Sequence, residues 1–97
     1  MTELLYFRLN NCPYCRQAEK YLEELTEENP GYKSISIRYI DEDRQTELAN
    51  SFDYWYVPCF FLRDKKLHEG AASKRDIKAV LDAADREISK TTAPSAR

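Results

Sequence analysis

The sequence predicts one α/β domain in the order βαβαββα, with a central four-stranded mixed sheet flanked by helices. Three features lead to this reading. The run Leu4-Leu5-Tyr6-Phe7 is continuously apolar, as in a strand covered on both faces. An apolar stripe at helical spacing follows it, and then a stretch that alternates with period two. The last third of the chain holds two short strand-like runs and a second helical stripe. The first β–α–β unit is expected to close as a parallel, right-handed crossover, and the last two strands as an antiparallel hairpin.

The elements follow in order. Leu4 to Leu9 reads as the first strand. Pro13 suits the first position of a helix, where a missing N–H costs nothing. Cys15, Ala18, Leu22 and Leu25 then form one apolar stripe, while Arg16, Glu19, Lys20, Glu23, Glu24 and Glu27 occupy the other faces. Asn29-Pro30-Gly31 stops this helix. From Lys33 to Ile40 a second strand is expected, with Ile35, Ile37 and Tyr39 on one side. Asp41-Glu42-Asp43 should cap a second helix carrying Leu48, Ala49 and Phe52. Val57 to Leu62 reads as a third strand interrupted by Pro58, Asp64-Lys65-Lys66 as a turn, and Leu67-His68-Glu69 as a return strand. Ser73 can cap a last helix that buries Ile77, Val80, Leu81 and Ala84. The 97 residues suffice for one small domain, placed at 1–90, followed by a polar tail at 91–97 expected to be mobile.

Composition narrows the function. A formal net charge of -2 gives no reason to expect a nucleic-acid partner or an anionic membrane surface. No apolar run approaches the ~20 residues that span a bilayer. Met1-Thr2-Glu3 is not a secretory n-region, so a cytoplasmic location is expected. Three cysteines cannot all pair internally, and in a reducing compartment a CxxC pair points to redox or metal chemistry.

That pair is Cys12-Pro13-Tyr14-Cys15. With Pro13 opening the helix, Cys12 falls at the N-cap and Cys15 in the first turn. Cys12 then meets unpaired backbone N–H groups and the positive end of the helix dipole, which favour the thiolate that attacks disulfides. Cys15 lies on the apolar stripe and should be more buried, as suits a resolving thiol. The other readings are two inert core thiols or a zinc half-site, for which the remaining donors are Cys59 and His68 only.

Following a first strand, Cys12-Pro13-Tyr14-Cys15 resembles the active site of dithiol glutaredoxins, within the thioredoxin superfamily. The segment Glu47-Leu48-Ala49, Phe52, Tyr54, Val57-Pro58, and Gly70-Ala71 followed by Lys74 and Ile77, is similar instead to thioredoxin. The resemblance spans roughly residues 3 to 88 by element order and implies a thioredoxin fold. It also implies that Pro58 is cis and lies against the cysteine pair, and that the Val57 backbone pairs with an extended substrate. The chain departs from both branches. Tyr56 stands where glutaredoxins usually have threonine, and Glu69-Gly70-Ala71-Ala72-Ser73 where they carry Gly-Gly and an acid for glutathione. Asn11 replaces the thioredoxin tryptophan, and Tyr6 its buried aspartate.

Other residues near the motif have two readings. Cys59 is a third redox thiol or a small core residue. Tyr54-Trp55-Tyr56 cannot all face inward, so one or two could form an apolar platform, with Trp55 the best candidate for exposure. Tyr14 should stay exposed and shape the approach to Cys12. Arg8 could steady a thiolate, bind a carboxylate or be a solvated strand-end charge. His68 has no triad partner.

The expectation is therefore a monomeric dithiol oxidoreductase acting on protein or small-molecule disulfides. Cys12 attacks and Cys15 resolves. Pro13, Tyr14, Tyr56, Val57 and Pro58 shape the substrate site, with Cys59, Trp55 and Arg8 as accessory candidates. No resident cofactor or metal is expected; electrons would come from glutathione as co-substrate or from a flavin-dependent disulfide reductase. The alternative is a non-catalytic thiol module that holds zinc or an iron–sulfur cluster with a partner.

Overall fold

The computed structural model describes residues 3–92. Strands β1 (Leu4–Arg8), β2 (Ile37–Asp41), β3 (Cys59–Leu62) and β4 (Lys65–Glu69) form one sheet in the order β2-β1-β3-β4. β1 pairs parallel with β2 and antiparallel with β3, and β3 pairs antiparallel with β4. Helices α1 (Pro13–Glu28) and α3 (Lys74–Thr92) cover one face, and the short α2 (Thr46–Asn50) lies on the other.

β1 is the spine, because it has a strand on each side and helices on both faces. Leu4 and Tyr6 point toward α1 and α3, where they join Ala18, Leu22, Leu25, Phe60, Leu62, Ile77, Val80, Leu81 and Ala84. Phe7 points the other way, into a smaller aromatic core with Ile40, Ala49, Cys59 and Phe61, flanked by Phe52 and Tyr54. The continuous apolar run at Leu4–Phe7 is explained by this two-sided burial, each large side chain contributing ~1.5–3 kcal/mol. Within the first core the Tyr6 ring stacks on Phe60 at 4.8 Å and meets the edge of Tyr39 at 5.2 Å.

Besides β1 ending at Arg8 rather than Leu9 and α2 stopping at Asn50, short of Phe52, three boundaries differ from the sequence reading. First, β2 begins at Ile37 rather than Lys33, because Pro30–Ser34 form a 3-10 turn. Asn29 makes that turn. Its N–H closes α1 on the Leu25 carbonyl at 2.8 Å, while its side-chain oxygen accepts the Gly31 N–H at 3.2 Å. Alternation still holds within the strand: Tyr39 sits beside Tyr6, and Ile40 beside Phe7 on the opposite face. Second, Asp41-Glu42-Asp43 does not cap α2. Asp41 ends β2, where its side chain meets Arg8 at 3.5 Å; the N-cap of α2 is Gln45, with no side-chain bond. Third, β3 starts at Cys59 and β4 already at Lys65, so the turn is only Arg63-Asp64, with Arg63 at φ 60.

Ser73 does cap α3. Its hydroxyl accepts the Asp76 N–H at 3.1 Å, and the Asp76 carboxylate accepts the Ser73 N–H at 3.0 Å, a reciprocal capping box. Helix α3 runs through Thr92 and so takes in the first two positions of the tail assigned to 91–97. The sequence has no helix breaker before Pro94. The rest of that tail lies outside the described residues. Among the described residues no helix is long and apolar enough to cross a membrane.

The capping box gives a direct test. Ser73→Ala should lower the unfolding free energy by about 1 kcal/mol in urea titration; an unchanged midpoint would show that the cap contributes nothing.

Candidate active site at the start of the first helix

Parallel pairing of β1 with β2 sends the chain off the end of β1 at Arg8 and back through α1. Cys12 is the N-cap of α1, extended at φ -123 and ψ 103, with Pro13 at the first helical position. Its sulfur accepts the Cys15 N–H at 3.1 Å, and its carbonyl accepts the N–H groups of Cys15 and Arg16, both at 3.1 Å. A sulfur here takes the place of the usual serine or aspartate oxygen on an orphan donor of the first turn. The same bond holds Cys12 beside Cys15 on one end of the helix. Both thiols are free, as is Cys59.

The three cysteines sit in different surroundings. Cys12 is 8% exposed, whereas Cys15 and Cys59 are fully buried. Access to Cys12 is thus narrower than its exposed neighbour Tyr14 suggests, because the Val57 carbonyl stands 3.9 Å from its sulfur. Burial, with a hydrogen bond to Cys12 next in weight, pushes the Cys15 thiol up to about 12 from 9.0. Cys59 is likewise pushed up to about 12, by burial first and the nearby Glu69 carboxylate second. Cys59 pairs across the ladder with Phe7 and belongs to the α2-side core. The sheet therefore separates it from the α1 stripe that carries Cys15.

The wall opposite Cys12 is the segment from Tyr54 to Pro58. The Val57–Pro58 peptide bond is cis. The Pro58 carbonyl accepts the Gly70 N–H at 2.8 Å. Gly70 has φ 88, a conformation that costs glycine nothing and other residues strain. Val57 packs against the α2-side core and Pro58 is buried. Of the three aromatics, Tyr54 turns inward against Phe7 and bonds Glu42, while Trp55 is 84% and Tyr56 69% exposed. Tyr14 adds a third exposed ring, at 62%.

Glu69 holds this wall, a role the sequence reading missed. Its carboxylate accepts the backbone N–H groups of Trp55 and Tyr56, the latter at 2.9 Å, and pairs with Lys66 at 2.8 Å. The Lys66 bond, then the two backbone donors, hold its carboxyl down at about 2. The sign is that of a carboxylate kept ionised, so this clamp is intact throughout the neutral range. Its signal in the sequence was the hairpin: β4 ends where β3 begins, which brings Glu69 opposite Cys59.

Arg8 is engaged by the chain's own polar side chains. Its Nε bonds the Glu19 carboxylate at 2.6 Å, and its Nη1 reaches Asn10 at 3.2 Å and Asp41 at 3.5 Å. Glu19 in turn accepts the Tyr6 hydroxyl at 2.9 Å. His68 turns to the Gly70 and Ala71 carbonyls. Among the described residues no three His, Cys, Asp or Glu side chains gather as a metal site would need.

No protein-family model matches the chain, and no curated protein does. Solved structures do. A malarial protein superposes with a TM-score of 0.65 at 22% identity over 87% of this chain and 97% of its own. An uncharacterised thioredoxin-like protein from Clostridium perfringens gives 0.64 at 26% identity over 87% of this chain and 71% of its own. Oxidised thioredoxin from Plasmodium falciparum gives 0.65 at 15% identity over 84% and 79%. The architecture is the α/β thioredoxin fold, and the Clostridium perfringens neighbour, at 26% identity, supports the thioredoxin superfamily.

The three environments predict an order of reactivity. Near neutral pH, iodoacetamide should modify Cys12 alone in the reduced native protein. Cys15 and Cys59 should react only on denaturation or as the pH climbs toward about 12, since a raised pKa leaves them protonated below it. Peptide mapping that found Cys15 or Cys59 labelled as fast as Cys12 would refute this assignment.

Proposed function

We propose that the chain is a dithiol thiol–disulfide oxidoreductase of glutaredoxin-like type, with Cys12 as nucleophile and Cys15 as resolving thiol. The observation that carries the reading is the paired geometry at the start of α1. The Cys12 sulfur accepts the Cys15 N–H at 3.1 Å and is the only cysteine with any exposure.

Each step has a group suited to it. Cys12 attacks one sulfur of a substrate disulfide; the S–S bond breaks and its electron pair leaves with the other sulfur. The product is a mixed disulfide on Cys12. Cys15, as thiolate, attacks the Cys12 sulfur, closes the Cys12–Cys15 disulfide and expels the reduced substrate. An extended substrate lying along the cis Val57–Pro58 segment would meet the Val57 backbone, with Tyr14, Trp55 and Tyr56 as apolar contacts on either side. Protein disulfides fit such an open surface, and small disulfides fit the same geometry. Glutathione or a flavin-dependent disulfide reductase would return the electrons.

Single substitutions separate these claims. Cys12→Ser should abolish disulfide reduction in an insulin or mixed-disulfide assay, and retained turnover there would defeat the proposal. Cys15→Ser should abolish dithiol reduction of proteins. Survival of glutathione-dependent turnover in that variant assigns the electron source to glutathione. Its loss, with turnover in the parent driven by a flavin-dependent reductase, assigns it to the second route.

A further inference from the structure

Strand β4 carries one residue more than the partner strand it pairs with. Cys59 stands opposite Glu69 and Phe60 opposite His68, but Phe61 stands opposite Lys66. Leu67 is the residue left over, a β-bulge. In an unbroken strand, residues three apart point to opposite faces. The bulge cancels that alternation. Leu67 packs against the α1/α3 core, while Lys66 and Glu69 lie opposite Phe61 and Cys59 of the α2-side core. Lys66 Nζ therefore meets Glu69 Oε1, at 2.8 Å. The other oxygen, Oε2, accepts the N–H groups of Trp55 and Tyr56, the latter at 2.9 Å.

Those two N–H groups belong to a segment with no regular structure of its own, between the end of α2 at Asn50 and the start of β3 at Cys59. Val57 follows directly, and its carbonyl stands 3.9 Å from the Cys12 sulfur. Glu69 thus bonds the backbone on one side of Val57. On the other side the Gly70 N–H bonds the Pro58 carbonyl at 2.8 Å. The carboxylate acts beside the reacting sulfur, and its own bonds go to Lys66, Trp55 and Tyr56.

On the dithiol reading above, we propose that Glu69 is a positioning residue for polypeptide disulfides: it fixes the backbone from Trp55 to Val57 beside Cys12, so that an extended chain docks on a segment already ordered. Ordering backbone residues is costly. With the carboxylate in place that cost falls on folding; without it, on the binding step. Attack and resolution pass between the two sulfurs, and the helix start that pairs them does not include Glu69. A small disulfide that reaches Cys12 without lying along Val57 has no use for the clamp. A carboxylate suits the position better than an amide, because both its oxygens accept at once. Glutamine offers one oxygen, and turning it to the backbone presents its NH2 group to the Lys66 cation.

Single-turnover reduction by excess reduced protein gives a half-saturating concentration and a limiting rate. Two disulfides are compared: a pair of unstructured peptides joined by one disulfide, bearing a fluorophore and a quencher, and dithiobis-nitrobenzoate, a small aromatic disulfide. Glu69→Ala should raise half-saturation for the peptide on the order of tenfold and leave its limiting rate within about twofold of the parent. Thiolate release from dithiobis-nitrobenzoate should be unchanged. Glu69→Gln should fall between Glu69→Ala and the parent. A purely structural role would lower both limiting rates with the folded fraction and move neither half-saturation. Amide hydrogen exchange supplies a second readout: Trp55 and Tyr56 should be protected in the parent and lose that protection in Glu69→Ala, while Phe60 and Phe61 keep theirs. An equal loss on both disulfides, an unmoved half-saturation for the peptide, or freely exchanging Trp55 and Tyr56 amides in the parent overturns the proposal. Should Glu69→Ala not fold, Glu69→Gln carries the same comparison. A parent protein that reduces neither disulfide sinks the dithiol reading and this proposal together, a result visible before any variant is made.

Discussion

The hydrogen bond from the Cys15 N–H to the Cys12 sulfur joins folding to chemistry in this protein. It satisfies an orphan donor in the first turn of α1, so the helix start and the relative position of the two sulfurs are one structural fact. Pro13 fits because its nitrogen has no hydrogen to leave unpaired at that position. The other end of the constraint is β1. Buried on both faces, it delivers the chain to Asn10 and Asn11 in a fixed direction, and its parallel partner β2 requires the crossover that α1 supplies.

The same economy governs the facing wall. Val57 approaches Cys12, and three bonds from the end of β4 hold the segment that carries it. The Gly70 N–H ties down Pro58, and the Glu69 carboxylate ties down the backbone at Trp55 and Tyr56. With the backbone held, the Trp55 and Tyr56 rings project into solvent while Tyr54 anchors the segment in the α2-side core. A backbone held in this way, bearing exposed aromatic rings, presents contact area with little ordering left to do on any binding.

Much of this was legible in the sequence, because the strongest signals were local. The apolar run of β1, the stripes of α1 and α3, the Ser73 cap and the cysteine pair behind Pro13 each depend on residues close together in the chain. The errors came where one residue serves two elements. Asn29 closes a helix and opens a 3-10 turn, which delayed β2. Asp41 reads as a helix cap but is held at the end of β2 beside Arg8. What was missed were side-chain contacts between elements. Glu69 reaches residues 55 and 56 because β4 lies beside β3, and Arg8, Glu19 and Tyr6 meet because α1 packs over β1. Glu19 follows Cys15 by four positions, one helical turn, so it could have been noticed as a neighbour. Its acidic fellows on α1 made it look like one more solvated charge.

The central claim is that Cys12 and Cys15 exchange with each other and that Cys59, across the sheet, does not take part. The most direct measurement is to equilibrate the protein over a series of reduced-to-oxidised glutathione ratios, quench the thiols and map the cross-links by mass spectrometry. The account predicts one reversible two-electron transition in which Cys12 and Cys15 are joined and Cys59 stays a thiol. A protein in which these two never join at any ratio, or in which Cys59 is one of the bonded pair, would contradict it.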